Sequence, residues 1–188
     1  MDSKFPGSVV DRQGKTAREF LEGLFFATGG MMLLQVREIT GLDTPAIQNW
    51  IGRGWVQKPI DKRYGKDHLA RILLINMLRS VTRLETIGQI LSYINGDAEC
   101  REDDSIAESE LYICVCDILD TVDFETVLTD EKLQGIIEAH LTDYVEPFAG
   151  AREKLITGIR IILLYYAAAL IKVQADRMTG ALGLDEAT

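Results

Sequence analysis

Thr44, Gln48 and Asn49 stand on one side of a short helical pattern whose other side carries Ile47, Trp50 and Ile51. A glutamine or asparagine amide can bond adenine N6 and N7 together, and a threonine can meet a phosphate or a thymine methyl. Directly after them comes a basic set, Arg53, Lys58, Lys62, Arg63 and Lys66, with Tyr64 in its midst. Cations so placed suit phosphate oxygens, each contact releasing counterions and steepening the salt dependence of binding. Tyr64 can also offer its hydroxyl to a phosphate, although Trp50, Trp55 and Tyr64 are expected first of all to hold the basic stretch against the helices. The plainer use of these residues is structural, with Thr44 as a helix cap, the amides as a solvated face and the cations as ordinary surface. Their order along the chain, amides and then cations, favours the phosphate reading.

Other chemistry is weaker. Cys114 and Cys116, with Cys100 and His140, suggest thiolate metal ligation. Positions i and i+2 on a helix lie about 200° apart, however, so the two thiols cannot easily grip one ion, and buried apolar cysteines are the expectation. His68 and His140 are isolated and read as structural or exposed. There is no Ser/His/Asp set, no H-E-x-x-H, no P-loop and no glycine fingerprint between strand and helix. Gly150, opening the last helix, is too little for a phosphate site. The expectation is therefore a protein that is not an enzyme and carries no cofactor or metal.

The chain of 188 residues is 47% hydrophobic and 26% charged, a globular composition long enough for a substantial core. Four prolines and three cysteines fit neither a proline-rich scaffold nor a disulfide framework and suggest a reducing interior. Its net charge of −9 hides an asymmetry: residues 1–96 hold 13 Lys+Arg against 9 Asp+Glu, residues 97–188 only 7 against 20. Within Gln35 to Arg83 there are 9 basic residues, Arg71 among them, against 4 acidic ones. Nucleic acid is the natural partner of such a basic part. Met1 to Lys15 lacks the apolar run of a secretory signal. The longest apolar run, Ile161 to Ile171, falls short of the roughly 20 residues that span a bilayer. A cytoplasmic protein without a membrane partner is expected.

The elements that must position the site are all helical. Thr16 to Ala27 reads as an amphipathic helix ended by Gly29-Gly30. Leu33, Val36 and Ile39 mark a short helix stopped at Gly41, where a positive φ is easily accepted. Asp43-Thr44-Pro45 opens the next, which ends at Gly52 and Gly54. So short a gap suits a helix-turn-helix, with an ordinary αα-hairpin as the alternative. Val56 to Tyr64 suits a small exposed β-turn or wing. A buried helix over Leu69 to Leu78 and an amphipathic one carrying Leu84, Ile87, Leu91 and Ile94 complete the unit at Asn95-Gly96. Acidic residues from Asp97 to Ser109, Glu108 included, read as a linker or solvated loop. Further helices are expected over Ile106 to Asp120, Asp130 to Tyr144 and Ala151 to Thr179.

Four segments carry a family resemblance. Leu33-Leu34-Gln35-Val36-Arg37-Glu38-Ile39-Thr40-Gly41-Leu42 resembles I-x-x-x-A-x-x-T-G-V, and Trp50 precedes Gly54-Trp55 as an aromatic precedes Gly-Leu. Lys62-Arg63-Tyr64-Gly65-Lys66-Asp67-His68-Leu69 resembles R-x-Y-x-x-x-x-L, and Leu84-Glu85-Thr86-Ile87-Gly88-Gln89-Ile90-Leu91 resembles L-x-x-I-x-x-x-L. Together they resemble the DNA-binding domain of the MerR family of transcription regulators. Arg37 and Gln48 depart from that pattern and the wing is shorter. The whole sequence is similar to an uncharacterised bacterial family, a domain of unknown function that contains such a segment.

The resemblance implies a mainly α protein in three parts: an N-terminal helical extension (1–31), a winged helix-turn-helix (32–96) and an acidic helical dimerisation or regulatory domain (97–188). It implies double-stranded DNA as partner, with the recognition helix in the major groove and the wing on phosphates. Leu155, Ile159, Ile162, Tyr166, Ala169 and Val173, at spacings of four and three with Leu163 and Leu170 alongside, suit a long helix buried on a partner helix. The resemblance makes that partner a second copy in a homodimer; a monomeric bundle is the alternative. A small-molecule or protein effector would act on this half. The expected function is a sequence-specific transcription regulator. The alternative is a protein-interaction module that keeps the winged-helix fold without specific DNA binding.

Overall fold

A computed structural model describes residues 3–26, 29–96, 103–123 and 130–182. Cys100, residues 97–102 of the expected acidic linker and the end of the first expected helix lie outside these residues. Among the described residues there are eight helices and no strand, only three isolated antiparallel bridges. The helices are α1 (Ala17–Phe25), α2 (Leu33–Thr40), α3 (Thr44–Gly52), α4 (Lys66–Leu78), α5 (Leu84–Asn95), α6 (Glu108–Thr121), α7 (Asp130–His140) and α8 (Ala151–Ala181).

Local chemistry explains their ends. Thr16 and Glu19 close a capping box on α1, each side chain bonding the other's backbone N–H. α2 stops where Gly41 turns left-handed at φ 71° and returns its N–H to the Arg37 carbonyl. Asp43 caps α3 by accepting the Ala46 N–H at 2.9 Å, which leaves Thr44 as the first helical residue and not the cap. α4 is apolar nearly all round, with ten of its thirteen residues buried, and such a helix belongs at the centre. It packs against α2, α5, α6 and α8.

One continuous core runs through the molecule from Phe5 to Ala167. The first residues belong to it: Phe5 stacks on Phe20 with ring centres 4.1 Å apart, and the Tyr112 hydroxyl on α6 donates to the Pro6 carbonyl at 2.8 Å. Arg12 pairs with Asp120 at 2.6 Å and Arg18 with Glu110 at 2.7 Å, fastening the N-terminal segment and α1 to α6. The charge-opposed halves thus share their interior.

Two expectations need correcting here. Arg71, counted among the basic residues, is only 4% exposed; it forms an ion pair with Glu108, and its Nε donates to the Trp55 carbonyl. Glu108, expected in a solvated linker, is therefore buried at the start of α6. Asn95 donates to it and accepts the Ser105 and Ile106 N–H groups, and Tyr144 donates to the Ser105 carbonyl. The described part of the linker is folded because it supplies these buried partners.

The second correction concerns α8. Leu155, Ile159, Ile162 and Tyr166 are buried within this chain, against a bundle that includes α4, α5, α6 and α7. The stripe expected to meet a second copy is thus already occupied, and of those residues only Val173 is exposed. Gly158 allows the close approach to α5, since a Cβ there would lie 2.3 Å from Ile94 Cγ1. Every residue from Ile171 to Met178 is exposed as the helix runs past the bundle. By length and composition α8 could cross a membrane, with a mean hydropathy of 1.7 in its most apolar stretch, yet 39% of that stretch is buried in the protein.

Candidate nucleic-acid interface

α3 is held by its inner face, Ile47 and Trp50 being fully buried and Ile51 half-buried. The outer face then presents Gln48 and Asn49 to solvent, with Thr44 half-exposed at its first residue. After α3 the chain doubles back at once, the Trp55 N–H donating to the Trp50 carbonyl at 2.9 Å. Arg53 is exposed there but engaged: its guanidinium pairs with Glu85 at 3.1 Å and lies 5.0 Å from the centre of the Trp55 ring.

The basic stretch ends in a tight turn. Asp61 and Lys62 are its two central residues, with φ 48° and 62°, and the Arg63 N–H closes it on the Ile60 carbonyl at 2.8 Å. Two successive left-handed residues mark the hairpin type that follows the twist of its flanks. A lysine held there costs of order 1 kcal/mol, and the conformation sets Lys62 at the tip. Lys58, Lys62 and Arg63 are exposed, and Lys66 is half-buried at the start of α4. Arg63 also donates to the Gly30 carbonyl at 3.1 Å, so part of its role is structural.

Tyr64 is buried and takes the positioning role. Its backbone exchanges both hydrogen bonds with Met31, at 2.8 Å each, and its ring meets His68 edge-on. The residue is only 4% exposed, and that burial raises the phenol above its usual range, so the hydroxyl stays protonated. Phosphate contact by Tyr64 is not what this placement offers.

His68, read as isolated, fastens the turn. Its Nδ1 accepts the Gly65 N–H at 3.1 Å, and with the proton on Nε2 it donates to the Lys58 carbonyl at 3.2 Å. Both ends of the basic stretch are thereby pinned to one ring. The sequence signal for it is slight: a histidine at the third position of a helix that lacks a capping side chain at Gly65.

The structure therefore places Gln48, Asn49, Lys58, Lys62 and Arg63 on the surface of α3 and the turn, and removes Tyr64. On α6, burial pushes the Cys114 and Cys116 thiols up to about 12, which disfavours the thiolate a metal needs. No group of three or more metal-ligating side chains occurs among the described residues. No curated protein and no solved structure matches the chain. Residues 31–114, from the Met31–Tyr64 bridge into α6, match the family described as Domain of unknown function (DUF1836).

Proposed function

We propose that the protein is a non-enzymatic, sequence-specific DNA-binding regulator of transcription in the cytoplasm, with residues 32–96 acting as a MerR-like winged helix-turn-helix. The observation that carries this is the outer face of α3, where Gln48 and Asn49 stand free above a buried Ile47 and Trp50, followed immediately by a pinned turn tipped with Lys62. In this reading α3 enters the major groove, its amides bond base edges, and Lys58, Lys62 and Arg63 meet phosphates. Arg53 would exchange Glu85 for a phosphate, and the acidic half would take an effector or protein.

A second reading uses the same surface for protein docking. Ile60, 71% exposed beside Lys62, favours it, because an apolar residue at the tip of a turn suits a protein partner better than a phosphate. Selection from a randomised duplex library, then fluorescence anisotropy across salt concentrations, separates the two. DNA binding predicts an enriched sequence and a Kd that rises steeply with salt. Lys58→Ala with Lys62→Ala should flatten the log–log slope by about 2, one per phosphate lost. Gln48→Ala should relax base preference by roughly 1–3 kcal/mol without altering that slope. No enrichment, or affinity unmoved by all three changes, sinks the DNA reading.

A further inference from the structure

The inner stripe of α8 does not end with the bundle. Tyr166, Leu170, Val173 and Arg177 continue it at spacings of four, three and four. Their cover thins along the way: Tyr166 is buried, Leu170 half-buried, Val173 41% exposed and Arg177 exposed. The helix therefore overhangs a cleft of about 740 Å³, walled by Pro6 and Arg12 from the N-terminal segment, Leu119 and Val122 from the end of α6, and Leu163 and Leu170 from α8 itself. That volume lies within the roughly 300–1,000 Å³ of small-molecule sites, and an apolar wall with a few convergent polar groups is their usual make-up.

We infer that this cleft binds an apolar acid, a single carboxylate on a hydrocarbon or aromatic body. The polar groups of the cleft select that head. Arg12 donates from Nε to the Lys4 carbonyl and from Nη1 to Asp120, which leaves Nη2 without a hydrogen-bond partner among the described residues. Arg177, at the rim, makes no ion pair among the described residues. The two acids that line the cleft are engaged, Asp120 by Arg12 and Asp123 by another contact. What stays unengaged is chiefly guanidinium N–H. A carboxylate bonded there against an apolar wall is held more firmly than in open water, whereas an alkylammonium would meet Arg177 with like charge.

One wall of the cleft also holds the turn before α3. The segment that carries Pro6 and Arg12 donates the Val9 N–H to the Ile39 carbonyl at 2.9 Å, and Asn76 bonds the Gly7 and Thr40 carbonyls together at 2.8 and 3.0 Å. Val9 lies so close to Gly41 that a Cβ there would stand 2.7 Å from its Cγ1. A second cavity, of about 370 Å³, reaches Thr40 and Gly41 and shares Pro6 with the first. Pro6 thus borders open volume in both cavities, and a molecule that fills the larger one presses the segment toward the end of α2. In this way the acid regulates the pose of α3, a consequence that rests on the DNA-binding reading, whereas the cleft itself does not.

Calorimetric titration of the full chain with decanoate and with biphenyl-4-carboxylate, without nucleic acid, tests the cleft independently of DNA. Saturable binding of one acid per chain is expected, tighter than that of decanol or decylammonium. Arg177→Glu should weaken it about tenfold or more, the loss of a charge-assisted bond. Val173→Trp, which sets an indole into the cleft from an exposed position, should abolish it at unchanged Tm of the free protein. Exchange of the Val9 amide, followed by NMR, should change on binding in the natural chain and not in Val173→Trp. No saturable binding of either acid, or binding unmoved by both variants, overturns the site. Decylammonium bound as tightly as decanoate overturns the ligand class. A bound acid that leaves both the Val9 exchange and the Kd for a selected duplex unmoved overturns the link to α3. A chain that binds the acids but no duplex overturns the DNA reading and not the cleft.

Discussion

α3 with its turn and the interface between α4 and α6 draw on the same basic stretch of chain and use it in opposite ways. Around α3 the cations stand in water: Lys58 and Lys62 are exposed, and Arg53, itself exposed, pairs with another exposed charge beside the Trp55 ring. Eight residues after the exposed Arg63 a different regime begins, and Arg71 belongs to it, enclosed between Trp55, Glu108 and the core. An exposed pair is worth about 1 kcal/mol or less, whereas an enclosed charge is held by the cost of leaving its partner alone. What a cation does here is decided by what covers it, and a count of charges along the chain is silent on that.

Variants that remove one member of the enclosed pair should show the largest effect. Arg71→Met leaves Glu108 buried with a carboxylate whose Oε2 has no hydrogen-bond partner among the described residues. A loss of about 3–5 kcal/mol is expected in urea unfolding, and Arg71→Met with Glu108→Leu together should recover much of it. A single-variant cost below about 1 kcal/mol would erase the contrast with the α3 surface.

A second effect, on α6 itself, is driven by pH. The Cys114 and Cys116 thiols rise from 9.0 to about 12 on folding because burial disfavours the thiolate. Above pH 9 the unfolded chain gives up these protons and the folded chain keeps them, so stability is full below about pH 9 and falls as pH rises toward 12. Urea midpoints followed from neutral pH to about pH 11 should drop more steeply in the natural protein than in Cys114→Ala with Cys116→Ala. Equal slopes would mean that water reaches α6.

The smallest effect belongs to the turn. Lys62→Gly removes a side chain held at φ 62° and should leave stability within about 1 kcal/mol of the natural protein, with the balance toward gain. The same change should weaken binding to a selected duplex. A clear loss of stability would show that the turn is as tightly built as the α4–α6 interface.

Much of the frame was readable because it rests on neighbours in sequence. Gly41 announces its left-handed cap, Asp43 and Pro45 open α3, and the pattern of Leu84, Ile87, Leu91 and Ile94 is met by α5. Arg71 and Glu108 were not readable as a pair, since they stand 37 residues apart and each alone resembles a solvated charge. Phe5 carries no helical period to flag it as core. α8 misled for another reason: it has apolar stripes on two opposite faces, and periodicity cannot say which one the chain covers itself. Tyr64 and His68 show the same limit at the candidate site, where burial and a ring bridging two backbone groups depend on distances no spacing encodes.

The tie between Tyr112 and Pro6 spans 106 residues, and it gives the order of synthesis a cost. On the ribosome the Phe5 segment emerges before α6, which follows only after of order ten seconds at about 5–20 residues per second. α8, which closes the core over α5, comes later still. Until then the nascent chain carries the aromatic pair of its first segment and the leucines of α4 without their cover. Translation therefore leaves this surface bare until α6 and α8 follow, and a holding chaperone at the exit tunnel would meet Phe5 and α4 before any partner of the finished protein does.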